Sequence, residues 1–517
     1  MIARKSLGLG IVFGLEVLAA SPSPAAAEGP LAAPAAAPSV VTSTTVTTTT
    51  GELALPELIR SVEERFPAIL AADQDRRAAE ADRTSADGGF DPSWRTTGTV
   101  IPIGGYPSQR VDTLIEQPLP FWGTSVFAGY RIGLGEYPSY DGKLGTNSYG
   151  EVRAGARINL WRDGPIDRRR ANIERAERGL DVAARSFDQQ RIDAVRLASF
   201  RYWDWVAAGK RLALARDWLD LALFRDAGLL RRVEHGDVPA FEQQENQRVI
   251  LQRRAQAVAA RRALEQAAIE LSLFLRTESG APILPDPSRL PAKILAPTPL
   301  SPARVEADER AALEKRPELE RLEAQKKQAE VERRWAENQR RPAIDVLVIG
   351  SQDLGPGDSK RAKPVLEATI AVDIPLLTRV ATGRERAASA QMARIDAQAR
   401  LQRDRILADV RDAASALVAA EERVIVAGSE LDVARALSGQ ELKRFDLGEG
   451  TLLLVNLREQ SALEAALRQI DALADWQKAR AAYRAATAGA GTAIRREADR
   501  YSVSLSAVSG SGPRNQG

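Results

Sequence analysis

The chain has 517 residues, of which 27% are charged, with a formal net charge of +3. That length exceeds one ordinary compact domain, and the nearly balanced charge gives no electrostatic pull towards nucleic acid. It has no cysteine and one histidine, His235, which excludes disulfides, thiol chemistry and thiolate metal sites and means that a histidine metal site or triad would need unusual partners. No basic tract with interleaved aromatics, nucleophile elbow, phosphate loop or recognisable carboxylate pair occurs, so no enzyme activity, cofactor, metal or nucleic-acid partner is expected.

The N-terminus reads as an export signal over residues 1–27. Arg4 and Lys5 precede an apolar stretch broken only by Glu16, and Ala25-Ala26-Ala27 offers a small-residue cleavage site. Residues 28–52 are rich in alanine and proline, then threonine, the composition of a flexible leader. No later run reaches the roughly 18 apolar residues that a membrane-spanning helix requires. An exported chain without a helical anchor is expected.

An internal repeat organises the remainder of the chain. Phe66-Pro67, Ala79-Glu80 and Pro92 recur 250 residues later as Arg316-Pro317, Ala329-Glu330 and Pro342. Arg232-Val233-Glu234-His235-Gly236 recurs 212 residues later as Arg444-Phe445-Asp446-Leu447-Gly448. Two copies of one plan therefore span 53–277 and 308–488, joined by a proline-rich linker at 278–307 and followed by a flexible tail at 489–517. In the first copy the pattern predicts a helix over 55–86, strands within 93–160 and a long helical hairpin over 165–276. Its turn is Gly236-Asp237-Val238-Pro239. In the second it predicts a helix over 305–340, strands within 343–374 and a hairpin over 382–487 turning at Gly448-Glu449-Gly450. Glycine suits a point where a helix stops and reverses.

The long helices carry a narrow seam. Val410, Ala413, Leu417, Ala420, Val424, Ala427, Leu431 and Ala434 follow unbroken 3-4 spacing, and Ile173, Ala176, Leu180, Ala183 and Phe187 begin the same pattern in the first copy. Alanine at alternate seam positions permits close helix approach, and helices of this length reach about 100 Å.

Three strand segments alternate cleanly. Val126, Ala128, Tyr130, Ile132 and Leu134 make one apolar face, Val152, Ala154, Ala156, Ile158 and Leu160 a second, and Leu366, Ala368, Ile370, Val372 and Ile374 a third. Period-2 runs of about ten residues, apolar outward and polar inward, suit a membrane β-barrel. Eleven of the 27 aromatic residues fall between Phe90 and Trp161, as in an interfacial girdle. One chain offers about four strands, too few for a barrel, so several chains must share one. The first strand region is about twice as long as the second. Residues 135–149 read as a long extracellular loop, and an extra hairpin including 111–117 would raise the strand count.

The duplicated plan, Lys315-Arg316-Pro317-Glu318-Leu319 at the opening of the second copy and the two Arg-x-x-x-Gly tips together resemble the TolC-like outer-membrane efflux protein family over about 53–488. The resemblance implies a fold that is mainly α with a membrane β-barrel part. It also implies a homotrimer in the outer membrane of a Gram-negative bacterium: twelve strands, four per protomer, over a periplasmic tunnel of twelve helices. It further implies a passive exit duct for a tripartite efflux pump or type I secretion system, with a periplasmic adaptor and an inner-membrane transporter docking at the tips Gly236, Asp237, Gly448, Gly450 and Leu453. Family members can carry acidic residues at the sixth and ninth positions after each tip glycine. Here these are Glu242 and Glu245 in the first copy but Leu454 and Leu457 in the second, a departure from a conventional acidic gate. The rival reading is a periplasmic coiled-coil adaptor or scaffold, which would have one hairpin between small β-domains.

Overall fold

The structure, a computed structural model, describes residues 51–138, 144–236 and 238–488. The expected signal peptide, the leader up to residue 50, the tip residue Asp237 and the tail 489–517 lie outside the described residues. Elements follow one another as two turns of the same plan. The first comprises α1 (Leu55–Arg65), α2 (Pro67–Asp87), β1 (Ser93–Ile101), β2 (Ser108–Pro118), β3 (Ser125–Gly135), β4 (Glu151–Asn159), α3 (Arg168–Glu234) and α4 (Ala240–Ser272). The second comprises α5 (Pro302–Lys315), α6 (Pro317–Asn338), β5 (Ala343–Asp353), β6 (Val365–Asp373), α7 (Arg379–Asp446) and α8 (Leu452–Ala486).

Two expectations change. The helices expected over 55–86 and 305–340 are each broken, at Phe66 and Arg316, which are extended with ψ of 124° and 123°. The cause is local: a proline follows each, and its ring disfavours the helical region for the residue before it. Among the described residues the strands number six rather than about four, because residues 93–118 form a complete hairpin, β1–β2.

α3 and α7, of 67 and 68 residues, are the two masts of the molecule, each about 100 Å long. Neither partner helix matches that length, so each mast changes partners along its course. α3 packs on α2 and α6 near the sheet and on α4 and α8 towards its far end; α7 packs on α6 and then on α8. Val410, Ala413, Leu417, Ala420, Val424, Ala427 and Leu431 are all buried, and Ala434 is half-buried. The first-copy seam, Ile173 to Phe187, is half-buried in one chain. Around the middle, α1 and the linker close a core of Leu53, Leu58, Val62, Tyr202, Trp205, Leu271 and Phe274, and α5 lies against α7. Arg316 fastens this level: it pairs with Glu318 at 2.6 Å and donates to the Ala486 carbonyl at the end of α8.

Besides the α3–α6 packing and the β4–β5 pairing, the two copies are joined through α3 and α8. Their contact holds a buried charged layer in which Arg225 of α3 and Arg253 of α4 both pair with Glu459 of α8, the latter at 2.6 Å. Arg253 also donates to the Trp218 carbonyl at 2.7 Å and lies 5.2 Å from that indole's centroid. The repeat-mate of Arg253 is Ala465, fully buried, so the pseudo-symmetry stops at this layer.

Three outcomes are expected. Ala420→Asp places an unpaired carboxylate in the seam and costs about 3 kcal/mol, read as a lowered denaturation midpoint. Glu459→Ala leaves two buried guanidinium groups facing each other and costs about 3–5 kcal/mol in the same assay. Burial works against the charged form of Glu318, but its pairing with Arg316 outweighs that and holds the carboxyl below its ordinary value of 4.5. Its contribution is therefore present above pH 4.5 and lost as pH falls through the lower folded value. Acid titration of unfolding should show this component in the parent chain and not in Glu318→Gln.

Candidate functional site

The six strands form one antiparallel sheet in sequence order, each strand bonded to the next. Because side chains alternate across a strand, the register assigns every residue to one of two faces. One face carries Trp94, Thr96 and Val100 of β1, Val111 and Ile115 of β2, and Val126, Ala128, Tyr130 and Ile132 of β3. It continues through Val152, Ala154, Ala156 and Ile158 of β4, Val346 and Val348 of β5, and Leu366, Ala368, Ile370 and Val372 of β6. No residue on it is charged.

All charged strand residues lie on the other face, among them Arg95, Arg110, Asp112, Arg131, Glu151, Arg153, Arg157, Asp345 and Glu367. Several are paired there. Arg131 bonds Glu151 on the neighbouring strand. Arg153 reaches from β4 across β3 to Asp112 on β2. It passes over Gly129, its register partner, where an added Cβ would come within 2.5 Å of the Thr113 carbonyl.

The uncharged face is open in the single chain: Trp94 is 78% exposed, Leu366 79% and Ile370 69%. An apolar surface of this extent on every strand is far beyond the scattered exposed residues of a soluble domain. Aromatics mark both rims. Phe121, Trp122 and Trp161 are exposed at the helix end, where Gly123 abuts Asn159 and Asp163. Tyr106 and Tyr149 are exposed at the far end. There the connection after β3, expected as a loop at 135–149, is stitched to the β5–β6 connection. Asn147, 3% exposed, exchanges hydrogen bonds with the backbone of Asp358, and its own N–H donates to Asp353. Residues 139–143 of that loop lie outside the described residues.

At the opposite end, both hairpins reverse at a glycine with φ of +79°, Gly236 and Gly448. An added Cβ would meet nothing at either position, so the requirement is for the left-handed backbone, not for space. At Gly450 the need is steric: a Cβ would lie 3.1 Å from the Phe445 nitrogen and the Glu441 carboxylate. The apolar run Thr451-Leu452-Leu453-Leu454-Val455 after the second tip, which by sequence suits either inter-helix packing or an adaptor contact, divides. Thr451 caps α8 through the Leu454 N–H, and Leu452 and Val455 are buried with Leu229 and Phe445, tying α3 to the second hairpin. Leu453 is 67% exposed. His235 rests its ring nitrogen on the Arg231 carbonyl at 2.7 Å and is exposed.

Glu242 and Glu245 lie together in the first two turns of α4 but in different surroundings. Glu245 is gripped by Arg248, three residues on, at 2.6 Å, and that hydrogen bond holds its carboxyl below the ordinary range. Glu242 has no ion pair among the described residues, and its Oε2 is buried without a hydrogen-bond partner. It sits where helix N–H groups favour an anion. The layer of Arg225, Arg253 and Glu459 was invisible to sequence reasoning, since buried helix charges read like solvated ones; arginine in place of a small seam residue at Arg253 was the available signal.

No family model matches the chain, and no curated protein matches it. Solved structures do. It is similar to CusC, described in terms of folding and transmembrane channel formation, at 13% identity with a TM-score of 0.60 over 84% of this chain and 91% of that one. The outer-membrane channel OprN matches at 15% identity, with a TM-score of 0.58 over 84% and 89%. The CmeC outer membrane channel of Campylobacter jejuni matches at 12%, with a TM-score of 0.58 over 84% and 85%. The chain, a sheet on two long helical hairpins, thus has the fold of the TolC-like outer-membrane channels.

Proposed function

We propose that three copies of this chain form a channel-tunnel in the outer membrane of a Gram-negative bacterium and serve as the exit duct of a tripartite efflux pump or type I secretion system. The observation that carries this reading is the segregation of charge across the sheet: all six strands turn an uncharged face one way and their charges the other. Strands of 9 to 11 residues suffice to cross the hydrocarbon core when tilted. Lipid then takes the uncharged face and water the charged one. The hairpins hang into the periplasm, with the four helices α3, α4, α7 and α8 of each copy giving a tunnel of twelve.

The tips Gly236, Asp237, Gly448 and Gly450 are the periplasmic entrance, and exposed Leu453 is an apolar contact for an adaptor that links the duct to an inner-membrane transporter. Cargo passes without covalent change, so no catalytic group is required. Glu242 and Glu245, repeated in each copy, ring the entrance and favour cations. Their surroundings differ: Glu245 is paired with Arg248, whereas Glu242 has no ion pair among the described residues.

Purified protein in a planar lipid bilayer should give discrete single-channel steps with cation preference. Glu242→Gln should lower the cation-to-anion permeability ratio about two- to threefold, the effect of about 0.5 kcal/mol at the constriction. Steps with an unchanged ratio would discard the acidic entrance and keep the channel. A soluble protein that gives no steps would instead fit the adaptor reading.

A further inference from the structure

β1 and β6 are the outer strands of the sheet, nine residues each, and every residue of both is exposed. Among the described residues no further strand pairs with the outer edge of either, so each offers one side of its backbone for a strand to add. In hydrocarbon such an edge has no solvent to turn to. Since six strands alternate in direction, β1 and β6 run opposite ways, so β6 of one copy can take β1 of the next as an antiparallel neighbour. The faces agree as well: Trp94 and Val100 lie on the uncharged face of β1, as Ile370 and Val372 do on β6, while Arg95 and Glu367 lie on the charged face.

We propose that the trimer closes an eighteen-stranded barrel by pairing β1 of each copy with β6 of the next, in place of the twelve strands implied by four per protomer. The inference rests on the trimeric reading above and adds the strand count, the closing contact and the width of the pore. A twelve-stranded alternative would use β3 as the edge and discard the β1–β2 hairpin. That requires opening the β2–β3 ladder, paired from Ser108↔Gly135 to Pro118↔Ser125, and breaking the Arg153–Asp112 bridge that spans β3. β1 and β2 also share the face pattern of the other four strands, which a hairpin lying outside the wall would not need.

Barrel diameter rises roughly in proportion to strand number, and barrels of 16–18 strands enclose an aqueous channel. Eighteen strands make a mouth about one and a half times as wide as twelve. The narrowest passage then falls in the helical tunnel, and Arg95, Arg110, Asp112 and Glu116 of the first hairpin face water in the wide mouth.

The chain has no cysteine, so engineered pairs report on the closing contact without background. Thr97→Cys on β1 would be combined in turn with Glu367→Cys, Thr369→Cys and Ala371→Cys on β6, all on the charged face, which covers neighbouring registers. Phe127→Cys on β3 with the same three represents the twelve-stranded alternative. After oxidation of the membrane-extracted protein, at least one Thr97 pair should convert monomer to covalent dimer and trimer on a denaturing gel, and no Phe127 pair should. Linkage through Phe127, or none through Thr97 at any register in an assembly whose native mass is three copies, would overturn the closure while leaving the trimer. A Thr97 linkage in an assembly of another copy number would overturn the count of eighteen and the trimeric reading together.

Discussion

A peptide group at a sheet edge must find a hydrogen-bond partner, and in hydrocarbon the only partner is another strand. The architecture of this chain follows from that constraint. Among the described residues its strands form a six-stranded sheet with β1 and β6 at its edges and one uncharged face, an arrangement that in lipid would be stable only if copies completed one another. In the proposed channel, oligomerisation would be a backbone requirement before it is a matter of side-chain affinity. The pairs Arg131–Glu151 and Arg153–Asp112 serve the same end from the charged side, holding β2, β3 and β4 together as one panel.

The helical part solves a different problem, that of length. A mast of about 100 Å cannot be supported by a compact core, so each level of α3 and α7 has its own partners and its own small cluster of buried side chains. Alanine in the α7 seam keeps the helices close and the wall thin. The breaks before Pro67 and Pro317 allow α1 and α5 to splay from α2 and α6 and to close the middle of the molecule, where Arg316 and Glu318 secure the end of α8.

Duplication supplies two nearly equivalent hairpins, and the differences between them are informative. Gly236 and Gly448 share one backbone conformation, yet the residues around them diverge: carboxylates at Glu242 and Glu245 stand opposite leucines at Leu454 and Leu457, and Arg253 stands opposite Ala465. The first divergence makes the two tips chemically distinct. The second builds the layer of Arg225, Arg253 and Glu459, which joins the copies through a charged contact rather than through another alanine seam. A buried triad of this kind adds little net stability over an apolar layer, but it strongly penalises any register that separates the charges.

Periodicity alone determined the elements with long, regular patterns. The two hairpins, the α7 seam and the alternating faces of β3, β4 and β6 all follow from spacing, because a helix repeats every 3.6 residues and a strand every 2. The tip glycines were legible too, since reversal of a helix imposes a local backbone requirement that one residue type meets best. Tertiary structure decided the rest. The β1–β2 hairpin was ambiguous because Thr96, Gly98 and Thr113 blur its alternation, and only pairing with β3 fixed which face is which. The breaks at Phe66 and Arg316 depend on proline sterics that outweigh an otherwise continuous helical pattern. The buried partnership of Glu459, and the contrast between a gripped Glu245 and an unpaired Glu242, depend on which helices meet and at what height. Spacing along one chain carries no information about that, because charged residues on a helix look alike until a neighbouring helix removes their water.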